Sequence, residues 1–224
     1  MTRLLFLLAA ALLAQMTHAQ AVKAPSFDRL PDDARIVLMP LDVELFTLGA
    51  GGMPEPQAQW TSQALGHMRA SLQKRESGLG QTLAEDGATE PRSIALNHLH
   101  GAVAGAIALH HYLDLYTLPT KGASLDWNIG ADTTWLREQS GADYALFIYV
   151  RDSYATAERK AAIILAAMLG VGLPGGFQVG YASLADLRSG RIVWFNRLIR
   201  GAGDLREAEP AEESINALLQ NFPR

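Results

Sequence analysis

Hydrophobic and polar positions along the chain follow strand patterns in two early segments. Residues 35–46 are apolar on both faces before Pro40, and apolar residues alternate with acidic ones after it. Because proline cannot donate a backbone hydrogen bond, we expect a bulge or a sheet edge at Pro40. Residues 144–151 are apolar at every position before Arg151, which predicts a strand at the centre of the sheet.

Two further strands are predicted as a hairpin near the end of the chain. Residues 177–187 and 192–199 flank the turn sequence Arg188-Ser189-Gly190-Arg191. Gly190 can adopt the positive φ that a tight hairpin turn requires. The pattern therefore predicts an antiparallel pair.

Apolar residues recur every three or four positions in the segments between and after these strands. This period predicts helices at 57–75, 93–116 and 132–139, with Ser93 as the N-cap of the second. A last helix is expected at the C-terminus, where Pro210 suits the first turn. Its apolar stripe consists of Ile215, Leu218, Leu219 and Phe222.

The order of these elements predicts an α/β (α+β) fold. The order is β-α-α-β, an apolar insert at residues 161–177, and then β-β-α. A mixed β-sheet with helices packed on one face is the simplest arrangement for this order. We expect a signal peptide at 1–21, an extended N-terminal segment at 22–34 and a single domain at 35–224 that contains the insert.

The first residues have the pattern of a secretory signal peptide. Arg3 precedes an apolar run at 4–14, and small residues favour cleavage after Ala19 or Ala21. The run is shorter than the roughly 20 residues of a membrane helix, which argues against an uncleaved anchor. We therefore expect an exported, periplasmic protein, and a location at the periphery of the outer membrane stays open.

Composition excludes several kinds of partner and anchor. The formal net charge of −4 and the scattered basic residues do not suit nucleic acid. The sequence contains no cysteine, so we expect neither disulfides nor a lipid-modified N-terminal cysteine.

The insert at 161–177 has no charged or polar side chain. Three interpretations stay open: a helix in the core of its own chain, an interface with a partner or a second copy, and a segment that contacts the membrane. The residues that we predict to make such contacts are Ile163, Ile164, Leu165, Met168, Leu169 and Val171.

The insert also contains the pattern G-x-G-x-x-G at 170–175. A dinucleotide-binding loop with this pattern follows a strand and opens a helix, whereas here a helical segment precedes the glycines and a strand follows them. We therefore predict a helix-to-strand break and no nucleotide or other cofactor.

Four histidines on the second predicted helix are weak candidates for a metal site: His98, His100, His110 and His111. Neighbours in this set point in different directions, and positions 100 and 111 are about 16 Å apart along a helix. A further ligand from elsewhere would be needed, so we predict no metal site. Asp42 and Glu44 share one strand face, where solvated carboxylates are commoner than acid–base pairs.

Segments of the chain resemble a group of bacterial envelope proteins. Residues 141–150 read GADYALFIYV and residues 182–194 read ASLADLRSGRIVW. Both are similar to the α/β domain shared by the curli secretion channel protein CsgG and the amino-terminal domain of TolB. The resemblance implies a structural hairpin within an envelope-protein fold. It implies no catalytic residue, and the missing lipidation cysteine argues against carrying over the channel role.

We therefore predict an exported, non-enzymatic accessory protein of the cell envelope that acts through protein–protein contacts or self-assembly. The alternatives are a metal-dependent periplasmic enzyme that uses the histidine-rich helix, and a membrane-inserting oligomer related to secretion channels.

Overall fold

A computed structural model describes residues 21–75, 81–82, 90–201 and 203–224. The predicted signal peptide lies outside the described residues, apart from residue 21, and so does most of the polar segment before the second helix. Eight strands within these ranges form one mixed sheet. They are β1 (Val22–Lys23), β2 (Ile36–Leu38), β3 (Asp42–Leu48), β4 (Pro54–Pro56), β5 (Gln81–Thr82), β6 (Tyr144–Ala155), β7 (Gln178–Asp186) and β8 (Ile192–Arg200).

The long strand β6 is the centre of the sheet. It pairs with β7 in antiparallel fashion on one side, and β7 pairs with β8 and β8 with β1. On its other side β6 pairs in parallel with β2 and then with β3. β5 extends the sheet beyond β2, and β4 extends it beyond β3. The mixed sheet and the predicted hairpin are therefore confirmed.

The predicted irregularity at Pro40 is present. Leu38 faces Leu146, while Asp42 faces Tyr149, so four steps along the early strands match three steps along β6. The extra residue breaks the ladder between β2 and β3, because proline has no N–H to donate there.

Five α-helices pack on this sheet within the described ranges. They are α1 (Ala58–Gln73), α2 (Pro91–Tyr112), α3 (Thr133–Ser140), α4 (Ala157–Met168) and α5 (Ala208–Leu218), and a 3₁₀ turn follows α2 at Asp114–Tyr116. The second helix begins before Ser93, so the predicted N-cap is wrong. Ser93 lies inside the helix, and its buried hydroxyl has no hydrogen-bond partner among the described residues.

The helices cover both faces of the sheet, so the prediction of one covered face is wrong. On one face, α1 and α5 pack against Leu146, Ile148 and Val150 of β6. On the other face, α2 and α3 pack against Ala145 and Phe147. The sheet is apolar on both sides because each side carries its own core, as in a layered α/β fold.

The insert joins the end of β6 to the start of β7. These antiparallel neighbours need only a tight turn, yet residues 156–177 connect them. Helix α4 occupies the first part of this connection, and residues 169–177 return to the sheet. The fold thus places the insert at one end of its two central strands.

Candidate interaction surface

The start of α4 is fixed by a cap that the sequence contains. The hydroxyl of Thr156 accepts a hydrogen bond from the backbone N–H of Arg159 at 3.3 Å, and Glu158 lies in the first turn. Both features stabilise a helix N-terminus. The helix therefore begins at Ala157, four residues before the uncharged insert.

Gly170 ends the same helix. It has a φ of +78°, and the backbone N–H of Val171 donates to the carbonyl of Ala166 at 2.9 Å. This is the Schellman arrangement, in which a glycine takes the left-handed conformation just after a helix. The G-x-G-x-x-G pattern therefore follows α4 as a helix terminator, as predicted.

Arg159 ties α4 to the returning segment. Its side chain is 7% exposed, and its Nε and one terminal nitrogen donate to the carbonyl of Pro174 at 3.1 and 2.9 Å. Hydrogen bonds from a charged group are stronger than neutral ones. The two arms of the connection are thus held together near the sheet.

The base of the insert is closed by Ser153 and the segment beside it. The backbone N–H of Ser153 donates to the carbonyl of Phe177 at 3.1 Å, and the N–H of Phe177 donates to the Ser153 hydroxyl at 3.0 Å. A Cβ on Gly176 would lie 2.2 Å from the Ser153 carbonyl oxygen. Only glycine allows the two backbones to approach this closely.

A buried polar network reinforces this end of the sheet. The carboxylate of Asp152 accepts hydrogen bonds from the Tyr154 hydroxyl at 2.5 Å and the Gln178 side-chain amide at 2.9 Å. The side-chain oxygen of Gln178, Oε1, in turn accepts hydrogen bonds from the side chains of Arg200 on β8 and Ser214 on α5. Burial raises the pKa of Asp152. The network joins β6, β7, β8 and α5 beneath the insert.

Beyond this base, the described part of the chain does not cover the insert. None of the residues 161–177 is buried, and Arg159 is the one buried residue of α4. Of the three open interpretations, a helix in the core of its own chain does not agree with this burial, because the connection leaves the sheet and only its base packs against it. The large side chains left in water define the insert surface: Ile164, Leu165, Met168, Leu169, Val171, Leu173 and Phe177.

The exposed side chains of the insert surface add up to a large apolar area. The exposed fractions of its seven side chains run from 38% to 82%. At about 200 Å² for a fully exposed large apolar residue, they leave about 800 Å² in water. The largest apolar patch on a typical monomer is about 300–600 Å², whereas each side of a standard protein interface buries about 800 Å².

Of the residues predicted to make contacts, five lie on the insert surface and Ile163 is half-buried. Leu173 and Phe177 belong to the same surface but were missing from the prediction. Both residues follow the helix terminator at Gly170, in the segment that returns to the sheet, and their apolar side chains within the uncharged insert could have identified them.

A second uncovered apolar surface lies on α2. Its members are Ile94, Leu99 and Leu109 on the helix, and Leu113, Leu115 and Tyr116 just after it. We call these residues the outer face of α2. With exposed fractions of 37–87%, they leave about 600 Å² in water at the same area per residue. From Ser93 to Tyr112 the helix contains no Asp, Glu, Lys or Arg.

The four candidate histidines do not converge. The His98 side chain is exposed, whereas His100 is buried, with Nε2 2.7 Å from the Ser183 hydroxyl and its ring stacked on Phe147. His110 is hydrogen-bonded to the backbone carbonyl of Tyr116. In the part of the chain that the structure describes, no three His, Cys, Asp or Glu side chains are grouped to hold a metal ion.

Burial also determines the charge state of His100. The side chain is 1% exposed, and desolvation lowers the pKa of His100 to about 3. His100 is therefore neutral at physiological pH and belongs to the core beneath α2.

The acidic pair on β3 is held by a neighbouring arginine. Arg151 of β6 forms ion pairs with Asp42 at 2.7 Å and Glu44 at 3.4 Å. The guanidinium also lies 4.1 Å from the centre of the Tyr149 ring. The two carboxylates thus belong to a cross-strand ion-pair cluster on the sheet.

Within the described ranges, no helix combines the length and the hydropathy needed to cross a membrane.

No protein-family model matches the chain, and no curated protein does either.

Several solved structures are similar to the chain at low identity. The PelC dodecamer from Paraburkholderia phytofirmans is 12% identical, covers 93% of this chain and 98% of its own, and has a TM-score of 0.42. Lipoprotein GNA1162 from Neisseria meningitidis is 13% identical over 84% of this chain and 99% of its own, with a TM-score of 0.33. The LpoB C-terminal domain from Salmonella enterica is 12% identical over 79% and 87%, with a TM-score of 0.28.

One of these structures is a bacterial lipoprotein. The relation to the CsgG and TolB group itself stays a prediction. TM-scores below 0.5 give no grounds for transferring an activity or a partner to this chain.

Proposed function

We propose that this chain is an exported, non-enzymatic accessory protein of the bacterial cell envelope that acts through protein–protein contacts. The observation that carries the proposal is the insert surface, about 800 Å² of uncharged apolar side chains that the described residues of the chain leave uncovered. Apolar surface of this extent is unfavourable in water, and covering it supplies the main driving force for association.

The way in which the insert is built supports a contact role. Helix α4 is capped at both ends. Arg159 links α4 to the segment that returns to the sheet, and Ser153 closes the base of the insert. A rigid element loses little conformational entropy when it binds, so its apolar surface contributes more fully to affinity. The predicted signal peptide would deliver this surface to the periplasm. A protein exported in this way could act at the periphery of the outer membrane.

Membrane insertion is the competing function, since exposed apolar side chains also favour lipid. A photo-crosslinking amino acid at position 169, with position 63 on α1 as an exposed control, separates the two in a Gram-negative host. The Leu169 site should give protein adducts that the Gln63 site lacks, and Ile164→Asp should abolish them. The chain should also be recovered in osmotic-shock fluid.

Adducts with lipid alone, together with recovery in the membrane fraction, would overturn the proposal in favour of membrane insertion. Protein adducts that persist unchanged when Ile164→Asp is introduced would overturn it as well, because the contact would then not depend on the apolar surface.

A further inference from the structure

The insert surface and the outer face of α2 are two separate apolar surfaces that one chain leaves in water. One belongs to the connection at the end of β6 and β7, and the other to the helix that packs across Phe147 and Phe195. We propose that the outer face of α2 on a second copy of this chain is the occupant of the insert surface. The inference rests on the proposed contact role and names the partner.

The areas of the two surfaces suit each other. The insert surface exposes about 800 Å² and the outer face of α2 about 600 Å², which together approach the roughly 1,600 Å² of a standard interface. Helix α4 is about 18 Å long, and the exposed part of α2, residues 94–109, is about 24 Å long, so the shorter helix fits along the longer one. More than half of the exposed area of the outer face lies just beyond α2, at Leu113, Leu115 and Tyr116, where residues 169–177 of the insert would make contact.

Charge also favours this pairing. Residues 161–177 and 93–112 contain no Asp, Glu, Lys or Arg. Contact between these two ranges would therefore bury no Asp, Glu, Lys or Arg side chain, and burying an unpaired charge is costly. Polar residues accompany the outer face along the sequence: His98, which is exposed, and Asp114, between Leu113 and Leu115.

The surface of α2 has a shape that can receive bulky side chains. Between Leu99 and Leu109 it carries Ala102, Gly105 and Ala106, and a Cβ added at Gly105 would meet nothing within 4 Å. These small residues between two leucines leave room for the large side chains of α4, as ridges fit grooves in packed helices.

Other occupants leave surface uncovered. Pairing of α4 with α4 across a two-fold axis, or insertion of α4 into lipid, would leave the outer face of α2 in water. A contact between unlike surfaces covers both with one interface, and each copy then offers a free surface to the next. Such a contact repeats around a ring or along a filament.

The absence of cysteine from the sequence allows a direct test with purified mature protein. Met168→Cys and Leu99→Cys chains, carrying different affinity tags, are mixed and treated with a short bismaleimide. We expect at least tenfold more of the adduct that carries both tags than of the adducts that either chain forms with itself. Gln63→Cys on α1 replaces Leu99→Cys as the matched exposed control and should give background.

A second variant tests the surface without changing the core. Ala102 is exposed, so Ala102→Glu should leave the far-UV circular dichroism spectrum unchanged while the two-tag adduct falls at least tenfold. Adducts dominated by Met168→Cys with itself would overturn the inference, since they indicate α4–α4 pairing. Protein adducts at position 169 in cells without any two-tag adduct in the purified mixture would overturn it too, but would leave the proposed function intact.

Discussion

Acid should destabilise the fold through His100, and His100→Gln should remove most of that effect. The side chain is neutral in the folded protein because burial lowers the pKa of His100 to about 3. In the unfolded chain the same group titrates near its ordinary pKa of about 6.5. The stabilising effect of the neutral form is therefore fully present above about pH 6.5 and is lost as the pH falls toward 3, because only the unfolded chain takes up the proton.

The size of the effect follows from this difference in pKa. Each pH unit below the unfolded pKa costs about 1.4 kcal/mol until the folded pKa is reached. Between pH 7 and pH 5 the free energy of unfolding should thus fall by about 2 kcal/mol through His100 alone. At a urea m-value of about 2 kcal/mol/M, the midpoint would move by about 1 M.

Urea unfolding followed by tryptophan fluorescence at the two pH values measures this loss. Glutamine keeps a hydrogen-bonding amide near the Ser183 hydroxyl but does not titrate, so His100→Gln should be less stable at pH 7 and should lose about 2 kcal/mol less on acidification. His98→Gln is the control, because His98 is exposed on the same helix. Equal acid sensitivity in wild type and His100→Gln would refute the reasoning.

Two further predictions concern the base of the insert. Gly176→Ala should lower the free energy of unfolding by about 2 kcal/mol or more, because the new Cβ would lie 2.2 Å from the Ser153 carbonyl oxygen. Gly172→Ala is the control and should be neutral, since its new Cβ would meet nothing within 4 Å. Equal urea midpoints for the two variants would contradict the prediction. Arg159→Ala should weaken the closure of the insert by about 2 kcal/mol, because two hydrogen bonds to the Pro174 carbonyl are lost. Hydrogen exchange at residues 169–177 should then be faster than in wild type, and unchanged exchange would contradict the prediction.

The elements of the fold could be predicted because their patterns are local. Pro40 predicts the break between β2 and β3, and Gly190 predicts the hairpin turn. The side on which α2 packs could not be predicted. That helix is apolar around most of its circumference, so its sequence does not distinguish the face toward Phe147 from the face toward solvent.

The candidate surface was only partly predictable for a related reason. Composition marks residues 161–177 as apolar, but apolar residues form cores and interfaces alike. What decides between them is the position of the connection between β6 and β7, which depends on strand pairing far along the chain. The burial of His100 depends on the same tertiary packing, since spacing alone gives it the same rank as the exposed His98.

The central claim is that the insert surface is covered by a second copy of this chain. Leu169 is 82% exposed. Burying this exposed part in an interface contributes about 2 kcal/mol to association, or roughly a 30-fold change in affinity. Sedimentation velocity over a range of concentrations, on purified wild type and Leu169→Asp, tests the claim most directly. We predict that wild type sediments as assemblies larger than one chain, and that Leu169→Asp sediments as a monomer with an unchanged far-UV circular dichroism spectrum. Identical assemblies in both proteins, or a wild type that is monomeric at every concentration, would contradict the account.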